Sequence, residues 1–126
     1  MPFIHIKSLP MDESRNIQKV ITGIARDFSH NTGILLEHIH TTWEFYQPGF
    51  YAKGSKLSNV QPESRFPIIV DLLTPDFNTK ETMECMLESV AESISTRADF
   101  PKNNIFIHHR VAHSGMVYDD GKIVQW

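Results

Sequence analysis

An α+β fold is expected for this chain: two tandem β-α-β units forming a four-stranded mixed sheet, two helices on one face, and short extra hairpin strands. Three observations lead there. An apolar stripe at helical spacing (Ile17, Val20, Ile21, Ile24, Ala25 and Phe28) returns as Met83, Met86, Leu87, Val90, Ala91 and Ile94, each 66 residues later. Strand-like segments flank both stripes. Landmarks outside the helices repeat as well, Pro10 with Pro75, Ile34 with Ile105 and Gly54 with Gly121, at offsets of 65, 71 and 67. Helical spacing alone would make two stripes similar, so the flanking landmarks carry the weight. The chain reads as a single domain, 1–126, with pseudo-repeats of about 2–64 and 66–126.

In order, residues 3–7 alternate apolar and polar and predict a strand, which Ser8-Leu9-Pro10 ends. Asp12 or Ser14 is placed to cap the first helix, and Gly33 to close it. Residues 34–43 predict a second strand, and 44–64, rich in Gly, Pro, Ser and aromatics, a hairpin and exposed loop. In the second unit residues 67–73 form an apolar run broken only by Asp71, the pattern of a buried strand. Thr74-Pro75-Asp76 stops it, and Asn78 with Glu81 resembles a capping box. A helix that links two strands makes them parallel, with a right-handed crossover. The sheet face away from the helices is left uncovered. It bears apolar as well as polar residues, and closed assembly of several copies would cover it.

The 126 residues suffice for one core. With 40% hydrophobic and 21% charged residues the composition is that of a soluble globular protein. A formal charge of −3 and no basic stripe argue against a nucleic-acid partner. No apolar run approaches the ~20 residues that span a bilayer, so no membrane partner is expected. Lone Cys85, with nothing ahead of Pro2 to serve as a signal peptide, points to a reducing, cytoplasmic setting.

Chemistry is expected at the start, Met1-Pro2-Phe3-Ile4-His5-Ile6. Proline behind the initiator makes Met1 a target for removal, which leaves Pro2 with a secondary amine at the head of an apolar strand. An α-amine has a pKa near 7.7–8.0, and burial lowers it. A base poised near neutral pH suits proton transfer at carbon. If Met1 stays, the Pro2 nitrogen is an amide without a basic lone pair. The plainer alternative is a proline that simply opens a strand.

An N-terminal proline, a β-α-β unit of this size and its tandem repetition together resemble the tautomerase superfamily. That group includes 4-oxalocrotonate tautomerase, macrophage migration inhibitory factor, malonate semialdehyde decarboxylase and the cis-3-chloroacrylic acid dehalogenases. The resemblance implies a homotrimer whose bare sheet faces line a central barrel, no cofactor or metal, and Pro2 as general base or acid. It also implies a site strand at Ile105-Phe106-Ile107-His108-His109-Arg110, where Phe106, His108 and Arg110 share one face. Met116-Val117-Tyr118 is similar to the dehalogenase hairpin, but Tyr118 stands where those enzymes carry a water-activating glutamate. Their arginine pair after the third strand is replaced here by Leu73-Thr74-Pro75-Asp76, and no arginine follows the first strand.

Arg110 is a candidate to grip a substrate carboxylate, the alternative being a surface ion pair. His108 is a candidate for proton relay or oxyanion support, and Tyr118 for orienting substrate. His30 lies near the place where related enzymes keep a substrate-contacting cation. His38 and His40, expected on one strand face, are candidates for the pocket or a subunit seam. Trp43, Phe45, Tyr46, Phe50 and Tyr51 are expected to pack between subunits. A rival metal reading joins His38 and His40 with His108, His109 and His113, at spacings that match no strong motif. The expected activity is cofactor-independent keto–enol proton transfer on a small 2-oxo acid. The alternatives are hydration, dehalogenation or decarboxylation of an acrylate-like acid at the same site, or a non-enzymatic trimeric interaction protein.

Overall fold

A computed structural model describes residues 1–12 and 15–126. Strand β1 (Phe3–Ser8), helix α1 (Ile17–Thr32) and β2 (His40–Phe45) are followed by a hairpin of β3 (Tyr51–Lys53) and β4 (Lys56–Ser58). Then come β5 (Ile68–Pro75), α2 (Lys80–Ala98), β6 (Ile105–Ala112) and a hairpin of β7 (Val117–Asp119) and β8 (Lys122–Val124). The main sheet has the order β2-β1-β5-β6. The pairs β1–β2 and β5–β6 are parallel and β1–β5 is antiparallel, so the sheet is mixed. Both helices cover one face, as expected for this α+β architecture.

The two-residue period of the strands decides what is buried. Ile4 and Ile6 of β1, and Ile68, Val70 and Leu72 of β5, lose all exposure against the helices. Ile24 and Phe28 of α1 and Met86, Val90 and Ile94 of α2 complete this core. Polar residues join the helices to each other. Asn31 donates to Ser89 Oγ (2.9 Å), and Ser93 donates to Asp27 (2.5 Å). The Arg97 fork meets the same carboxylate at 2.7 and 2.8 Å. A Cβ on Gly23 would lie 2.6 Å from Arg97 Cδ, so the missing side chain lets Arg97 cross α1.

Three local expectations change. Asn16 caps α1 by accepting from the Lys19 N–H (3.2 Å); Asp12 faces Arg15 at 2.9 Å, and Ser14 lies outside the described residues. Thr79, not Asn78, caps α2 by accepting from the Thr82 N–H (3.2 Å), while Asn78 donates to the Pro75 carbonyl (3.0 Å). Residues 34–43 are not one strand. Leu36–His38 form a 3₁₀ turn, with His38 and Ile39 donating to Leu35 and Leu36. Ladder pairing begins at His40, whose N–H meets the Pro2 carbonyl at 3.0 Å, because only there does the chain draw level with the head of β1. Gly33 does close α1, in the left-handed conformation (φ 78°) that favours glycine.

The face away from the helices is uncovered. It carries Phe3 and His5 from β1, Ile69, Asp71 and Leu73 from β5, and Phe106, His108 and Arg110 from β6. No helix among the described residues is long and apolar enough to cross a membrane.

Buried Gln61 ties the long connection to the end of β1. Its Oε1 accepts from the Leu9 N–H and its Nε2 donates to the Phe66 carbonyl, both at 2.6 Å. Gln61→Leu strands the Leu9 N–H and leaves the Phe66 carbonyl only a long bond from Asn104 (3.4 Å), and should lower unfolding free energy by about 2–4 kcal/mol. Urea denaturation measures this; a loss below ~0.5 kcal/mol would contradict the role given to Gln61.

Candidate active site

Pro2 is buried just ahead of β1, at a cleft of about 330 Å³ that also takes in Met1. Each wall comes from a different turn of the topology. Ile34 and His38 come from the α1–β2 connection, and Pro75, Phe77 and Asn78 from the β5–α2 turn. Val117, Asp119 and Val124 of the second hairpin and Trp126 beyond it close the remaining side. The cleft is mostly apolar. His38 and Asp119 are the ionisable side chains among its described lining residues.

That environment acts on the start of the chain. Burial pulls the Met1 α-amine below its usual range, and the Asp119 carboxylate opposes the shift by attraction. A desolvated amine beside a carboxylate can take and return a proton near neutral pH.

Of the residues singled out from sequence, Pro2 and His38 meet in this cleft. His38 sits in the 3₁₀ turn, whereas His40 opens β2 and stacks on Phe3 on the bare face (centroids 4.4 Å), so the two do not share a strand face. Phe106, His108 and Arg110 share the bare face of β6, away from the cleft of their own chain. Phe106 is 56% exposed. Arg110 makes a two-pronged pair with Asp71, at 2.8 and 2.5 Å. That bond, above all, holds the Asp71 carboxyl below the usual range; the charges of Arg110, His5 and His108 add to it. His30 is exposed in the last turn of α1. Tyr118 alternates with Val117 and Asp119, so its side chain leaves the hairpin on the other side and is 74% exposed.

The histidines of the metal reading diverge. His109 turns to the helix side, where Nε2 pairs with Thr74 Oγ1 (2.6 Å), and burial foremost lowers its pKa. His108 lies on the opposite face, and His113 Nδ1 meets Asp76 at 2.9 Å. Among the described residues no three metal-binding side chains converge. The early aromatic cluster packs partly within the chain: Tyr51 lies edge-on to both Tyr46 and Phe66, and Trp43 donates to Ser8 Oγ (2.9 Å). Asp119, Phe77 and Trp126 were not legible as site residues. The period-2 rule applied to 117–119 would have set Asp119 opposite Tyr118, but no local pattern marks Phe77 or Trp126.

A fused 4-OT, solved as a wild-type asymmetric trimer, matches 96% of this chain and 94% of its own with a TM-score of 0.80 at 11% identity. The chain has the fused 4-OT fold. A member of the cis-3-chloroacrylic acid dehalogenase family matches 97% of this chain and 82% of its own (TM-score 0.77, 10% identity). Malonate semialdehyde decarboxylase matches 95% and 91% (TM-score 0.68, 7% identity). These neighbours are tautomerase-superfamily members, and at such identities the likeness is one of fold. No protein-family model and no curated protein matches the sequence.

Asp119→Asn removes the attraction that partly offsets burial, so the pKa of the Met1 amine should fall further. The pH dependence of N-terminal acylation, followed by intact mass, reports it; an unchanged or raised pKa would show that Asp119 does not act on the amine.

Proposed function

We propose that this chain is a cofactor-independent tautomerase that moves a proton between oxygen and carbon of a small 2-oxo acid, with Pro2 as the base once Met1 is removed. The observation that carries this reading is the burial of Pro2 at the edge of an apolar cleft, at the head of a strand paired on both sides. Removal of Met1 would leave a secondary amine one residue further along, in the same mostly apolar cleft that Asp119 lines. In ketonisation the amine accepts the enol hydroxyl proton and then delivers a proton to the neighbouring carbon. No other reactant is consumed. His38 is placed to donate a hydrogen bond to the substrate oxygen as its charge changes.

Among the described lining residues of a single chain's cleft there is no arginine or lysine, so a carboxylate substrate needs a cation from elsewhere. A homotrimer would let the bare face and free edge of one copy serve the cleft of another, and fused 4-OT neighbours are described as trimers. Under this reading Arg110, released from Asp71, holds the carboxylate, while His108 and Tyr118 steady the oxygen. Phe106 supplies an apolar wall, and His30 an outlying contact. The small carboxylate substrate is the only partner required besides the other copies; neither nucleic acid nor membrane has a part. Exposed, unpaired Cys85 suits a cytoplasmic setting.

A specific observation favours a second reaction on the same scaffold. Asp119 faces the cleft where Tyr118 does not, and a carboxylate beside Pro2 is what activation of water for addition to an acrylate-like acid needs. Turnover of 3-haloacrylates separates the two readings.

Pro2→Ala should reduce enol-to-keto conversion of phenylpyruvate about 10²–10⁴-fold in kcat/KM, the usual worth of a placed general base. Equal rates in the two proteins would remove Pro2 from the chemistry.

A further inference from the structure

Trp126 is held in the Pro2 cleft from three directions. Its indole Nε1 donates to Asp76 Oδ1 (2.8 Å), its backbone N–H donates to Ser114 Oγ (2.8 Å), and Phe77 lies edge-on to its ring (centroids 6.2 Å, 81°). The other Asp76 oxygen meets His113 Nδ1 at 2.9 Å, so this carboxylate is fixed at both ends. Those contacts use the indole N–H and leave the ring itself open: Trp126 is 41% exposed and Phe77 67%. Two large aromatic surfaces therefore stand partly open beside an apolar cleft, with the indole held by polar bonds at its edge.

An indole fixed in this way presents a preformed surface on which a planar ring can stack without first ordering the protein. Pro2, the base under the proposed reading, and His38 line the same cleft. A substrate spanning the cleft would place its carbonyl carbon by the amine and its side chain by the indole. We infer that Trp126 is the specificity determinant of this site, that it receives the aromatic ring of an aryl-bearing carbonyl acid, and that Asp76 is its positioning residue. This rests on the reading of Pro2 as the base but goes beyond it, because the base does not itself select the substrate's side chain.

The test compares exchange of the C3 hydrogens of phenylpyruvate and of pyruvate for deuterium, followed by NMR in parallel. Trp126→Leu keeps the wall apolar but removes the aromatic surface. It should cut kcat/KM for phenylpyruvate roughly ten- to a hundredfold, while pyruvate changes less than about threefold. Asp76→Ala should reproduce that selective loss, and Asp76→Asn, which keeps an oxygen to accept from the indole, should restore it. Equal losses on both substrates, or none on either, would overturn the inference while Pro2→Ala still abolished exchange. Should Pro2→Ala leave exchange untouched, the functional reading fails by itself, and binding decides the role of Trp126. In a Trp43→Phe protein Trp126 is the sole tryptophan. Saturable quenching of its fluorescence by phenylpyruvate, absent with pyruvate, is expected; no saturable difference between the two would refute it.

Discussion

The head of the chain is fixed by the two hydrogen-bonded ladders that grip β1 from either side. Parallel pairing with β2 and antiparallel pairing with β5 leave β1 no freedom to slip, since a shift of one residue would turn Ile4 and Ile6 out of the core. The bond from the His40 N–H to the Pro2 carbonyl extends this hold to the residue ahead of the strand. Proline suits that place because its ring fixes φ ahead of the strand.

Everything around the cleft follows from that anchor. Because β2 runs parallel to β1 while β5 and β6 run antiparallel to it, the start of β2 and the ends of β5 and β6 lie at the head of β1. The segments there leave between one and three side chains each beside Pro2. The walls are mostly apolar, so the Met1 α-amine is desolvated, while the Asp119 carboxylate tempers the effect. Opposing influences of this kind are how a site sets a pKa near its working range instead of merely displacing it. The bare sheet face is different in kind, with imidazoles, the Asp71–Arg110 pair and exposed Phe106 side by side on one surface.

Periodicity made the architecture legible. Six apolar positions per helix and the alternation along residues 3–7 were enough to place two helices on one face of a mixed sheet, because burial of a continuous face is what those periods record. Caps were less legible: Asn16 and Thr79 win over Asp12 and Asn78 through backbone geometry that neighbouring polar residues do not reveal. The 3₁₀ turn at Leu36–His38 was hidden in an apolar stretch that reads equally well as strand. It is the register of β2 against Pro2 that selects the turn, and with it the separation of His38 from His40. In the cleft, Pro2 and His38 were expected from local sequence, whereas Asp119, Phe77 and Trp126 arrive from distant turns. Trp126 depends on Asp76, fifty positions away, and only the folded topology brings such a pair together.

The central claim is a free, desolvated imino nitrogen on Pro2. Peptide-level mass spectrometry of untagged protein after brief exposure to 2-oxo-3-pentynoate, an electrophile for amines, tests it most directly. A chain that begins at Pro2 and carries one adduct, on that residue, is the expected result. A chain that still begins at Met1, or a Pro2 that stays unmodified in the folded protein, would contradict it.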